Sequence, residues 1–174
     1  MKNNCLQLIL VQGVPKSEQF EMIVQRGTEL GLSRIIPLLS DHSQVRWQGE
    51  RAAGKLARWN AIAREAAEQS ERGRLPEISP PTNWAGLWPL LAQPARIFAF
   101  HARGASPYKD ALAELSQGQE SSVVLMIGPE GGWSEDEVAT LQVRATKLVS
   151  LGPRILRTAT AALAAIAVTL NALD

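Results

Sequence analysis

The stretch SVVLMIGPEGGWSEDEV, residues 122–138, decides the fold. Val123–Ile127 is an unbroken apolar run of strand length, as expected of a strand covered on both faces in a parallel sheet. Gly128, Pro129, Gly131 and Gly132 stop it. Ser134 and Glu137, three apart, form a capping box that opens a helix running through Val143. Residues 146–172 repeat the order. Thr146–Leu151 reads as a strand, Gly152-Pro153-Arg154 as a turn, and about Leu156 to Ala172 as an Ala-rich helix. Two strand–loop–helix units put both loops at the carboxyl edge of one sheet, where open α/β folds bind ligands. Glycine lets backbone approach a ligand closely, and proline sets the loop shape beforehand. The plainer alternative is a pair of ordinary turns.

The same alternation extends toward the N-terminus. Leu6–Val11 is a strand. Pro15 stands at a first helical position, and Phe20, Ile23, Val24, Gly27 and Leu30 follow at helical spacing. Gly31 is the helix stop. Ser33–Leu39 is a second strand, near an edge or its own end because Pro37 cannot donate to a ladder. Arg51–Arg72 is the longest helix, with Leu56, Trp59, Ala63, Ala66 and Ser70 inward and Gly73 as its end. Five prolines make residues 73–94 irregular, with one short helix around Trp84–Leu90. Ile97–His101 is a strand and Tyr108–Leu115 a short helix. The expectation is an α/β fold with a mainly parallel sheet flanked by helices.

Composition narrows the function. The chain has 174 residues, of which 45% are hydrophobic and 20% charged, an ordinary globular balance. Its length suits one domain. One cysteine and two histidines leave no internal disulfide and no zinc site of the usual kind, so no metal is expected. A cytoplasmic setting is the default for such cysteine usage. The apolar run Ala161–Leu170 falls well short of the ~18 residues a membrane span needs. Net charge is +1, so no strong whole-molecule pull on nucleic acid exists. Thirteen arginines against five lysines still allow a local phosphate-binding face. Arg46, Arg51, Lys55, Arg58, Arg64, Arg72 and Arg74 are candidates for it, set against the reading of a plain solvated helix face.

The loops carry neither GxxxxGK[ST] nor GxGxxG, so both common phosphate cradles are missing. Glu130 within the glycine loop would repel a polyphosphate and accept ribose hydroxyls or a cation. That disfavours ATP or NAD and allows a nucleoside bearing a sulfonium; the alternative is a Glu130 that points to solvent or caps the following helix.

IGPEGGWSEDEV (127–138) and LGPRILRTATAALAA (151–165) resemble the two signature segments of the RsmE family, 16S ribosomal RNA uridine-N3 methyltransferases of the SPOUT superfamily. QRGTELGLSRIIPLLSDHSQVR (25–46), RWNAIAREAAEQSERGRLPEI (58–78) and GVPKSEQFEMIV (13–24) are similar to further family stretches. The resemblance implies a catalytic domain over residues 1–174, with a C-terminal trefoil knot and the cofactor loops in about 97–174. It implies S-adenosylmethionine as cofactor, 16S ribosomal RNA as substrate and a homodimer in the cytoplasm. Carried over by motif, the cofactor residues are Phe100, His101, Ile127, Gly128, Pro129, Gly131, Gly132, Leu151, Gly152, Ile155, Leu156, Arg157 and Thr158. RNA contact falls to Arg46, Arg72 and Arg74.

Two departures stand out. The resemblance begins at the family's catalytic domain, so the family's small N-terminal barrel is expected to be missing from these residues, and Ala159 stands where the family usually carries Glu. They keep open a second reading, a catalytically impaired knotted RNA-binding or assembly module. A third is an unrelated nucleoside-binding α/β protein. For methyl transfer to N3, loss of the N3 proton puts charge on the uracil oxygens, which an arginine would stabilise. Arg154 is the first candidate, Arg157 the second, and Glu130 a candidate proton acceptor. His101 could serve as a base by residue type, though a lone histidine is more often structural. Cys5 reads as core, Trp59 as core, and Trp133 as a pocket wall or subunit contact.

Overall fold

The computed structural model describes residues 6–91, 95–101, 104–115, 121–144 and 146–173. In chain order the elements are β1 (Gln7–Gly13), α1 (Ser17–Leu30), β2 (Arg34–Leu38), α2 (Gly49–Gln69), β3 (Glu77–Ile78), α3 (Trp84–Leu90), β4 (Ala95–Phe100), β5 (Ser106–Pro107), α4 (Tyr108–Ala113), β6 (Ser122–Ile127), α5 (Glu135–Val143), β7 (Lys147–Ser150) and α6 (Thr158–Leu173). The strands form one sheet in the order β3-β2-β1-β6-β4-β7-β5. Every pairing among the described residues is parallel. The late strands β6 and β7 are each inserted between earlier ones, β6 between β1 and β4, β7 between β4 and β5.

The apolar run Ser122–Ile127 is the central strand, and all six residues are buried. The pleat sends Val123, Leu125 and Ile127 to one face, with Leu8 and Leu10 of β1. Val124 and Met126 go to the other, with Ile9 and Val11. The first face carries the larger core, where Phe20, Ile23 and Val24 of α1, Trp59 of α2 and Ile166 of α6 meet. The second is closed by Leu87 of α3, Trp133 and Leu141 of α5. A sheet covered on both sides needs continuous apolar strands, which is why this segment does not alternate.

Several boundaries differ from the sequence reading. Pro15 is not in the first turn of α1. Lys16 is the N-cap with an extended ψ of 145°, and the helix begins at Ser17. Leu30, the last residue of α1, is 41% exposed and does not join the inner stripe. α2 ends at Gln69, short of Gly73. There Glu71 takes a left-handed φ of 55°, and Arg72 N–H reaches back to the Ala67 carbonyl at 2.9 Å. That is a Schellman closure built on Glu where glycine usually stands. Pro37 sits one residue from the end of β2, past the two-residue pairing with β3. The last helix starts at Thr158, later than expected. Cys5 lies outside the described residues.

Candidate functional site

β6, β4 and β7 are neighbours in the sheet and run parallel, so the segments after them emerge side by side. Phe100 and His101 after β4, Ile127–Gly132 after β6, and Leu151 and Arg154–Thr158 after β7 line one cavity of about 610 Å³. This lies within the usual range for small-molecule sites. Both catalytic candidates, Glu130 and Arg154, are on its wall. Trp133 is a wall residue too. Gly152 is the one cofactor candidate that does not line it. Its φ of 126° suits glycine alone, and Ser150 Oγ closes the turn by bonding Gly152 N–H and carbonyl at 3.2 and 3.0 Å.

Buried polar contacts fix the glycine loop from behind. Gln12, at the end of β1, is fully buried. Its Nε2 donates to the Gly13 carbonyl at 2.9 Å and to Thr158 Oγ1 at 3.0 Å. Thr158 Oγ1 in turn donates to the Gly128 carbonyl at 2.6 Å. One chain of hydrogen bonds thus joins β1, the first loop and the first residue of α6. Gly13 backs directly onto Pro129; a Cβ there would stand 2.6 Å from Pro129 Cδ and 2.8 Å from its N.

Glu137 does more than its sequence pattern shows. The capping box with Ser134 is present, and Ser134 N–H donates to Glu137 Oε2 at 2.8 Å. Glu137 is also buried, and its Oε1 accepts from Asp41 N–H and Trp84 Nε1, both at 2.8 Å. One carboxylate therefore pins the β2–α2 loop and α3 to the start of α5. From the same β2–α2 loop, His42 Nδ1 donates to the Gly131 carbonyl at 3.0 Å. Trp133 Nε1 donates to the Phe100 carbonyl at 3.2 Å, tying the glycine loop to the tip of β4.

The charged residues have distinct settings. Glu130 is exposed, and its Oε1 accepts from Lys16 N–H at 3.1 Å, which holds the loop against the start of α1. Arg154 and Arg157 are exposed on the rim. Arg72 is already engaged: it donates to the Thr28 carbonyl at 2.6 Å and the Leu32 carbonyl at 3.1 Å, binding α2 to the end of α1. Partial burial lowers its pKa from the ordinary guanidinium value. Arg46 and Arg74 are exposed. Ala159 is buried in the larger core, and the cavity wall beside it is made by Thr158 and Ala161.

Sequence reading missed Gln19, Ser150 and Ala161 of the wall, and Gln12 behind it. Gln19 comes from the first turn of α1, more than a hundred residues before the glycine loop. No local pattern marks it. Its Oε1 is buried and has no hydrogen-bond partner among the described residues.

The fold and this cavity define a parallel α/β domain with a ligand-sized cavity across adjacent strand tips, where open α/β folds bind ligands. The chain belongs to the RNA methyltransferase domain family, whose model matches residues 2–170. It is 33% identical over 161 residues to ribosomal RNA small subunit methyltransferase E of Mycobacterium bovis, covering 90% of this chain and 60% of that protein. It is 34% identical over 166 residues to the protein of the same name from Bacillus subtilis, covering 92% of this chain and 64% of the relative. The structure of ribosomal RNA small subunit methyltransferase E from Neisseria gonorrhoeae bound to S-adenosyl methionine superposes with a TM-score of 0.83 at 31% identity, over 96% of this chain and 66% of that one. The chain thus spans under two thirds of the curated relatives it matches. No helix among the described residues is long and apolar enough to cross a membrane.

Proposed function

We propose that residues 1–174 form the S-adenosylmethionine-binding, methyl-transferring domain of an enzyme that methylates N3 of a uridine in 16S ribosomal RNA. The observation that carries this is the single cavity shared by the two Gly-Pro loops, in a chain of the RNA methyltransferase family. The residues present fit the cofactor. Gly132, with a φ of 70°, has open space where a Cβ would stand, so backbone forms the wall there. Phe100, Ile127, Leu151 and Leu156 offer apolar surface to an adenosyl group. Gln19 brings an amide side chain from α1 to the same wall, a polar group for the amino-acid end of the ligand. The carboxylate of Glu130 lies on the rim, where a cationic ligand is favoured and a polyphosphate is not.

When bound, S-adenosylmethionine supplies an electrophilic methyl group. The chain's own task is positioning and charge control. The Gln12–Thr158–Gly128 bonds hold the two loops at fixed separation. Arg154, on the rim, is placed to stabilise negative charge developing on uracil oxygen, and Glu130 to take the N3 proton once the Lys16 N–H bond is exchanged. Arg46 and Arg74, exposed and without an ion-pair partner among the described residues, are available to meet RNA, while Arg72 serves mainly to bind α2 to α1. A C-terminal knot is supported by the insertion of β6 and β7 between earlier strands. A homodimer is supported by exposed Ile155 and Val168, 77% and 45% accessible, near the small-residue surface of α6. Action on ribosomal RNA supports a cytoplasmic setting.

The test is methyl transfer from labelled S-adenosylmethionine to 16S ribosomal RNA, naked and in small subunits, with the product nucleoside identified by mass spectrometry. The expected product is N3-methyluridine. Label on a different base atom, or none with cofactor bound, overturns the assignment.

A further inference from the structure

A second cavity, about 310 Å³, lies between the β2–α2 loop and the first turns of α2. Its walls carry Arg46, Arg51, Lys55 and Arg58 around the indole of Trp47. Arg51, Lys55 and Arg58 are spaced four and three apart, so they share one helical face. Like charges at such spacing disfavour a helix; Arg58 and Lys55 offset that cost by tying α2 to α1 through Glu21 and Ser17, whereas no such tie is made by Arg46 or Arg51 among the described residues. Among the described residues one carboxylate answers this cluster: Glu21 takes a paired contact from Arg58 at 2.6 and 2.7 Å and lies 4.0 Å from Lys55 Nζ. Arg46 and Arg51 are exposed and have no ion-pair partner among the described residues. A cavity with surplus positive charge thus sits on a chain whose net charge is only +1.

The floor says what kind of ligand fits. Trp47 is 6% exposed. Its ring packs edge-on against Trp59 at 5.1 Å, and Lys55 Nζ stands 5.6 Å from its centroid. A nucleobase therefore finds no free ring face to stack on. Arginine forks instead match phosphate oxygens.

The cavity is also tied to the first site. His42 of the β2–α2 loop holds the Gly131 carbonyl, and Val45–Trp47 of that loop line the second cavity. The three residues from His42 to Val45 span at most ~11 Å. Lys55 Nζ donates to Ser17 Oγ in the first turn of α1, two residues before Gln19 of the first cavity.

We propose that this second cavity is a phosphodiester-binding subsite that grips the RNA strand beside the nucleotide whose base enters the first cavity. The proposal rests on the reading of the chain as an RNA-modifying domain and assigns where its substrate backbone is held. The subsite carries no sequence preference, because it reads charge and not base edges.

The experiment measures fluorescence anisotropy of a labelled, uridine-containing single-stranded RNA against salt concentration, for the parent protein, R46A/R51A and R46K/R51K. S-adenosylmethionine affinity is measured by calorimetry on each. Because both arginines are exposed and unbonded among the described residues, the variants retain the fold. The expected result for R46A/R51A is RNA affinity lower on the order of 10-fold at 0.1 M salt. The salt slope should fall by about 1.4, since each phosphate of a single strand that an arginine no longer neutralises removes about 0.7. R46K/R51K should keep most of the slope, and cofactor affinity should hold in both variants. A parent slope in R46A/R51A, with cofactor affinity intact, overturns the subsite and leaves the methyltransferase reading standing. If calorimetry with inorganic phosphate, run on the same proteins, shows binding by the parent that R46A/R51A loses while the RNA slope is unchanged, the proposal is also overturned, in favour of a free-anion site. A parent that binds RNA through these arginines but not S-adenosylmethionine supports the subsite and refutes the methyltransferase reading.

Discussion

At the scale of single residues, the site depends on which polar groups are committed and which are free. Arg154 is on the rim and exposed, with only the rim to serve. Arg154→Ala should lower kcat by about 10²–10³, the usual loss for a donor facing developing negative charge. Cofactor Kd should change little, and steady-state kinetics with calorimetry would separate the two. Equal losses in both would make Arg154 a binding residue. Tyr108, the one tyrosine of the chain, gives a second test. Thr169 Oγ1 donates to the Ala165 carbonyl, so in its 2.6 Å pair with Tyr108 the phenol must be the donor. Burial raises the Tyr108 pKa to about 12. The folded value lies above the unfolded one near 10, so the protonated phenol stabilises the fold below pH ~10. That contribution is lost as pH rises toward 12. Tyr108→Phe should cost about 1 kcal/mol at neutral pH and soften alkaline unfolding between pH ~10 and 12. Tyrosinate absorbance and thermal melts against pH read both effects.

At the scale of elements, contacts between segments carry the information that local pattern lacks. Gly13 at the end of β1 touches Pro129 of the glycine loop. Gly13→Ala must push that loop, at a cost of about 1–3 kcal/mol for overpacking. Cofactor affinity should fall by about tenfold while far-UV circular dichroism is kept; unchanged affinity would show that the loop does not shape the site. α1 and α2 are joined by the Glu21–Arg58 pair. Arg58's hydrogen bonds hold the Glu21 carboxyl below its ordinary value. The pair therefore stabilises the fold above the usual carboxylate range and is lost as pH falls through the lowered folded value. Glu21→Gln should lower Tm slightly at pH 7 and flatten the acid limb of a Tm–pH plot. The strands were legible because β1, β2, β4 and β6 are apolar runs, and α5 because its capping box is local. β3 and β5 are two residues each and carry no periodicity. The end of α2 was misread because Glu71 adopts the conformation expected of Gly73.

At the scale of the whole molecule, parallel neighbours explain why two loops 20-odd residues apart become one site. β6 and β7 flank β4, so sequence motifs at 127–132 and 151–157 emerge beside Phe100–His101. The motifs announced that convergence, and every cofactor candidate but Gly152 reached the wall. Gln12, Gln19, Asp41 and His42 were illegible because they come from the opposite end of the chain, brought in by β1 and β2 as the sheet assembles. The Arg-rich helix face showed charge in the sequence, but only the fold separated Arg72, spent on α1, from Arg46 and Arg51, which have no ion-pair partner among the described residues. The most direct measurement of the central claim is a crystal structure with S-adenosylhomocysteine. The account predicts that the adenosyl group lies between Ile127–Gly132 and Leu151–Leu156, within reach of Gln19. Ligand bound elsewhere, with both loops bare at saturating concentration, would contradict it.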